Sequence, residues 1–208
     1  MSTQATIAKK CIANMLSVIE GVEDELARLD AFAGDGDHGA GMVRGLRAAN
    51  EAAQAAESEF ASQVVSAAGE AFVNTAGGAS GVLFGTLIAT IGENLSEDPD
   101  TENVYHALKA GTNIVCELGK TSVGDKTMID TLMPFVEALG EASQQGSILI
   151  DAWIQALPRA KSGMEATADM VSKRGRSSRL GDRSKGGMDP GAVSIYYLLQ
   201  SVADTLKT

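Results

Sequence analysis

Apolar residues recur along this chain at helical spacing, as in Val104, Leu108, Gly111, Val115 and Leu118, and again in Val193, Tyr196, Leu199, Ala203 and Leu206. No stretch shows a convincing strand pattern of alternating apolar and polar positions. Breaking the chain at glycine clusters, prolines and capping residues predicts about eight helices, roughly residues 4–27, 39–56, 61–74, 80–94, 101–119, 128–144, 147–171 and 190–206. Ala, Gln, Glu and Leu dominate these segments, in keeping with helix propensity, and Pro134 and Pro158 mark first-turn or kink positions. The expectation is one all-α domain over residues 1–208, without an internal repeat.

The interruptions carry more information than the helices. Glycine gathers in residues 34–41, 77–81 and 186–191. In an antiparallel helical arrangement the loops fall alternately at two ends, so those after the first, third and seventh helices share one end. The fifth loop, residues 119–127, joins them by the same parity.

Bulk properties narrow the function classes. With 208 residues, 44% of them hydrophobic, the chain can bury a substantial core. A formal charge of −10 argues against sequence-blind nucleic-acid binding, which needs clustered cations facing phosphate. Lys9 and Lys10 precede a short apolar stretch that is broken by Asn14 and Ser17 and followed by Glu20, Glu23, Asp24 and Glu25, a pattern of neither signal peptide nor membrane span. Cys11 and Cys116 make no disulfide framework and no CxxC metal site, so a reducing compartment, the cytoplasm, is expected.

Candidate chemistry concentrates in Leu29-Asp30-Ala31-Phe32-Ala33-Gly34-Asp35-Gly36-Asp37-His38-Gly39. Carboxylates as close as Asp30, Asp35 and Asp37 repel unless a cation holds them, and hard oxygen donors suit a divalent metal bound together with phosphate. Gly34 to Gly39 also fits GxGxxG, but the upstream segment is Glu-rich rather than a buried strand, and two aspartates would face the phosphate. An EF-hand fails because the twelfth position counted from each aspartate is Gly41, Leu46 or Ala48 instead of a bidentate Glu. A solvated Asp/Gly turn capping the next helix remains the structural alternative.

The third loop, Asn74-Thr75-Ala76-Gly77-Gly78-Ala79-Ser80-Gly81, opens an apolar helix with small residues and free backbone N–H groups. It reads either as an anion seat or as a close helix crossing with Ser80 as N-cap. Gly119-Lys120-Thr121 ends like a P-loop, yet Ile114 stands where its first glycine belongs, so Gly119 is left as a helix C-cap or a point of close ligand approach. Residues 173–185 hold Lys173, Arg174, Arg176, Arg179, Arg183 and Lys185 against Asp182 alone, a net +5 that leaves −15 on the rest of the chain. Such a basic flap suits a phosphate cover or a partner contact. Asp189-Pro190-Gly191 reads as a helix start, with Asp as N-cap and Pro in the first turn.

Taken together, Gly34-Asp35-Gly36-Asp37-His38-Gly39, Gly77-Gly78-Ala79-Ser80-Gly81, Gly124-Asp125-Lys126-Thr127-Met128, Gly175-Arg176-Ser177-Ser178 and Asp189-Pro190-Gly191-Ala192 resemble the nucleotide-binding L subunit, or C-terminal domain, of dihydroxyacetone kinases. The resemblance spans nearly the whole chain. It implies an eight-helix antiparallel up-and-down barrel with ADP or ATP at one end, and two magnesium ions held between phosphates and Asp30, Asp35 and Asp37. It further implies nucleotide contacts at His38, Gly39, Ala40, Gly41, Ala79, Ser80, Gly119, Met128, Arg176, Asp189, Pro190 and Gly191, with His38 as a phosphate hydrogen-bond donor and no protein nucleophile. Gly36 departs from the alanine of some relatives, and Arg179, Lys185 and Gly187 replace tyrosine, an aliphatic residue and histidine in the flap.

The resemblance also implies partners. A separate sugar-binding K subunit would hold the ketose covalently, and the present chain, within a homodimer or hetero-oligomer, would present the magnesium nucleotide to it. The chain's separateness points to phosphotransferase-dependent systems, in which ADP stays bound and is recharged by a phosphohistidine carrier, the M subunit. Exchangeable ATP, another short ketose such as erythrulose, and a non-catalytic nucleotide-sensing adaptor are the alternatives.

Overall fold

The computed structural model describes residues 3–208. Nine α-helices account for most of them: α1 (Gln4–Gly21), α2 (Glu23–Ala31), α3 (His38–Ala55), α4 (Ala61–Ala76), α5 (Gly78–Asn94), α6 (Thr101–Gly119), α7 (Ile129–Gln144), α8 (Leu149–Ala166) and α9 (Pro190–Leu206). Between α8 and α9 lie a 3-10 turn, Thr167–Asp169, and a 3-10 stretch, Arg176–Ser184. No strand occurs among the described residues.

Periodicity placed the long helices well and missed one break. The expected helix over residues 4–27 is two, because Val22 leaves the helical region at φ −119° and ψ 13°. The chain restarts at once with Glu23, Asp24 and Glu25 in the first turn of α2, where carboxylates meet the positive end of the helix dipole. α2 therefore runs on to Ala31 and carries Asp30 in its last turn. At the other end, α8 stops at Ala166, and the residues expected to prolong it form the 3-10 turn. Pro134 and Pro158 both lie inside helices. Pro134 cannot donate to the carbonyl of Asp130, and Gly163 of α8 packs against that carbonyl, where a Cβ would collide.

Apart from α2, each helix packs on the next in chain order, and α9 returns to α1. The eight long helices thus close into a ring, with α2 laid against α3 and α9. Phe72, Phe84, Phe135, Leu46, Leu132 and Leu139 are among the large side chains fully buried inside it. Burying each is worth about 1.5–3 kcal/mol. Trp153 meets Phe135 edge-on at 4.9 Å and donates from Nε1 to the Leu199 carbonyl at 2.8 Å, tying α7, α8 and α9. α4 and α5 cross closely, with Gly69, Gly85 and Gly92 lying against Ala89, Val73 and Ser66. Only Gly77 separates these two helices, so the chain reverses there at φ 74°, a conformation that favours glycine. No helix among the described residues is long and apolar enough to cross a membrane.

Candidate functional site

The odd-numbered loops meet, as the parity argument requires, around a cavity of about 390 Å³ at one end of the ring. Its walls include Asp30 to Asp37 from the first loop, Gly77 to Gly81 from the third, Lys126 to Met128 from the fifth, and Arg174 to Ser177 with Gly187 to Gly191 from the seventh.

The first loop brings Asp30, Asp35 and Asp37 together, with one oxygen of each within 4.8 Å of the others. Asp30 sits half-buried at the end of α2, while Asp35 and Asp37 are exposed. The turn between them winds tightly: Ala33 N–H donates to the Asp30 carbonyl at 3.0 Å and Gly34 N–H at 2.5 Å. A Cβ on Gly34 would land on the Asp30 carboxylate, so a larger residue there would push that carboxylate aside. Asp37 occupies the N-cap position of α3 but makes no side-chain cap bond. Asp30 Oδ2 accepts the His38 N–H instead, at 3.3 Å. The plain capping turn is therefore not what forms, and the Asp37 carboxylate is left to the cavity.

His38 is buried in the first turn of α3, with Nε2 2.8 Å from Ser194 Oγ of α9 and its ring tilted on Phe84 at a centroid separation of 6.0 Å. Burial pushes its imidazole below the ordinary value, against the opposing pull of Asp30 and of a hydrogen bond to the Pro190 backbone. A neutral ring joining α3 to α9 is the result.

The third loop starts α5 two residues earlier than its pattern suggests. Gly77 is the N-cap, and Ser80 lies inside the first turn rather than capping it. Gly78 follows at φ 65°. The amides of Gly78, Ala79 and Ser80 thus head α5 without an intrahelical acceptor and line the cavity beside the acid cluster. Arg44 of α3 reaches across to the Ala76 carbonyl at 3.1 Å, satisfying the end of α4 and placing a cation on the wall.

The fifth loop is organised by a buried carboxylate that sequence reading passed over. Asp130, 1% exposed, accepts Gly124 N–H at 2.5 Å and Thr127 N–H at 2.7 Å. Asp125, also buried, holds the flap through Arg174 Nε at 3.0 Å and Lys173 Nζ at 3.2 Å. From the flap, Arg176 Nη1 bonds Asp35 Oδ2, spanning the mouth from seventh loop to first. Asp189 caps α9 as its sequence suggests, accepting Ala192 N–H at 2.8 Å.

Of the residues expected at a nucleotide site, His38, Gly41, Ala79, Ser80, Met128, Arg176, Asp189, Pro190 and Gly191 line the cavity. Gly39, Ala40 and Gly119 stand outside the lining. Gly39 is buried against the backbone of Glu23, where it lets α3 approach α2, and Gly119 closes α6 ahead of Lys120, which takes the left-handed C-cap conformation. Lys126, Arg174, Arg44 and Phe32 line it without having been singled out. Lys126, Arg174 and Phe32 were marked only by membership of a motif or of the flap's charge, and Arg44 by no motif at all.

The DAK2 domain model matches residues 32–204. The chain is 40% identical over 210 residues to the D-erythrulose kinase of Mycolicibacterium smegmatis, covering 98% of this chain and 36% of that one. It is 35% identical over 184 residues to the PEP-dependent dihydroxyacetone kinase, ADP-binding subunit DhaL, of Escherichia coli, covering 88% of both. Among solved structures, the dihydroxyacetone kinase from C. freundii in complex with AMP-PNP and Mg2+ superposes with a TM-score of 0.69 at 26% identity, over 96% of this chain and 33% of that one. The chain thus spans about a third of the erythrulose kinase and nearly the whole of the ADP-binding subunit.

Proposed function

This chain belongs to the DAK2 domain family, and on that premise we propose that it is the magnesium-nucleotide module of a short-ketose kinase. The observation that carries the reading is one cavity. It joins three mutually close carboxylates, the free amides of α5 and the flap arginines Arg174 and Arg176.

Three aspartates with oxygens this close fit a hard divalent cation, and Asp30, Asp35 and Asp37 would hold magnesium, two ions in all, against the nucleotide's phosphates. The bound metal would supply neutralisation of charge on the phosphate oxygens. The amides of Gly78, Ala79 and Ser80 would donate to an anion at the positive end of α5, and Arg174 and Arg176 would cover it from the flap. Met128, Pro190 and Gly191 would give the flat, apolar contacts of a base. The cavity wall offers no cysteine or lysine free to act as nucleophile, since Lys126 is spent on backbone carbonyls. Positioning and charge are what these residues contribute.

The ketose would be held by a sugar-binding K-type partner, in the cytoplasm. The near full-length likeness to an ADP-binding subunit of a PEP-dependent system favours ADP kept as a bound cofactor and recharged by a phosphohistidine carrier. The higher identity to D-erythrulose kinase favours a second reading, exchangeable ATP serving a four-carbon ketose. Gel filtration followed by denaturation separates them: stoichiometric ADP in the protein peak supports the cofactor reading, and nucleotide-free protein that turns over ATP with a K-type partner supports the second. No turnover with either donor and any short ketose would leave a nucleotide-sensing adaptor and sink the kinase assignment.

A further inference from the structure

Lys126 is 4% exposed and has the left-handed backbone conformation uncommon for a side-chain-bearing residue (φ 61°). Its ammonium donates to three backbone carbonyls, Ser184 at 2.5 Å, Gly187 at 2.7 Å and Met170 at 3.3 Å. Met170 lies on the strand of chain that leaves for the flap, and Ser184 and Gly187 lie on the one that returns. One cation therefore ties both stems together. Two neutral bonds flank the knot, Ser172 N–H to Ser184 Oγ at 2.9 Å and Gly186 N–H to the Ala168 carbonyl at 2.8 Å.

We propose that Lys126 is the positioning residue that locks the basic flap over the cavity and sets Arg174 and Arg176 above the bound phosphates; this rests on the magnesium-nucleotide reading given above. Three chemical features support it. An ammonium offers three donors in a tetrahedral fan, which matches three carbonyls converging from different directions, whereas the planar guanidinium fork does not. Thr127 and Met128, the next two residues, are themselves part of the cavity wall, so the floor of the site and its cover share one anchor. A backbone outlier held by surrounding structure at a cavity is the kind of strain that functional sites retain. Near its start the flap is also held by the buried Asp125, through Arg174 and Lys173, but its reach across the mouth, Arg176 to Asp35, is an exposed ion pair that holds weakly without a fixed base.

The test uses Lys126→Met and Lys126→Gln, the second keeping part of the donor capacity should the first fail to fold. Limited trypsin digestion of the whole chain reads the flap directly, because Arg174, Arg176 and Arg179 are exposed there. Cleavage at these sites is expected to accelerate at least tenfold, with cleavage at the exposed helical Lys161 unchanged. Calorimetry with Mg-ADP is expected to show at least tenfold weaker binding. In a double-mutant cycle, Arg176→Ala is expected to cost much less in the Lys126→Met background than alone, since the flap is already unlocked. Unchanged flap cleavage, or fully additive losses, would overturn the proposal. Absence of Mg-ADP binding by the wild type would sink the nucleotide reading instead, while the digestion would still decide whether Lys126 locks the flap.

Discussion

Arg176 Nη1 bonds Asp35 Oδ2, so the cation that covers the cavity is paired across its mouth with one of the three clustered carboxylates. Both side chains are more than half exposed, at 64% and 51%. An exposed pair of this kind is worth about 0–1 kcal/mol to the fold. Arg176→Ala is therefore expected to leave the ligand-free melting temperature within about 2 °C of the wild type. Its cost should fall on Mg-ADP affinity, about tenfold or more by calorimetry, as for loss of a charge-assisted contact. Arg179, on the same flap but without a partner in the acid cluster, should lose less on substitution by alanine. Equal affinities for the two variants would contradict the choice of Arg176 as the clamp.

Asp35→Asn probes the acid cluster. Removing one of three crowded carboxylates relieves repulsion and deletes a metal ligand at once. The ligand-free protein should melt no lower than the wild type. The rise that the wild type shows with Mg-ADP should disappear, because that rise is mass action on the folded state, about 2.7 kcal/mol at a ligand concentration a hundred times Kd. Thermal melts with and without Mg-ADP check it, and retained magnesium-dependent stabilisation would remove Asp35 from the metal set.

The acid cluster was legible because its three members lie within eight residues, and the convergence of loops because antiparallel helices obey parity. The break at Val22 was not, since Ile19, Val22, Leu26 and Leu29 keep helical spacing straight through it and only one residue's dihedrals change. Lys126 and Arg44 were hidden for a different reason. Their acceptors are backbone carbonyls 32 to 61 positions away, and a carbonyl has no residue-type signature. Gly39 shows the converse ambiguity. A glycine can admit a ligand or a neighbouring helix, and here the neighbour is α2.

Asp130 should behave as a structural organiser of the fifth loop. Its carboxylate accepts two amides, Gly124 and Thr127, from a fully buried position. Asp130→Asn replaces one acceptor oxygen by an NH2 group and leaves one amide facing a donor. The expected cost is about 1–3 kcal/mol of stability, the penalty for a buried donor without an acceptor. Urea denaturation would register it as a lower midpoint at unchanged slope. A midpoint equal to the wild type would mean the loop holds its shape without the carboxylate.

Asp189 gives the chain a pH dependence of opposite sign to the usual aspartate. Burial, reinforced by the Asp130 charge, pushes its carboxyl up to about 7, although the Ala192 and Gly191 amides and the Lys126 ammonium pull the other way. In the unfolded chain the group titrates near 3.9. Between those values the folded state keeps a proton that the unfolded state has lost, so this group's contribution to stability falls as pH rises and is lowest above about 7. Asparagine at this position keeps an acceptor for the Ala192 amide, being as good an N-cap, and does not titrate. The melting temperature of Asp189→Asn minus that of the wild type, both ligand-free, should therefore increase from pH 5 to pH 8, by about 3 °C or more. A difference that stays constant across that range would show that Asp189 is ionised throughout, held by the amides and Lys126 in spite of its burial.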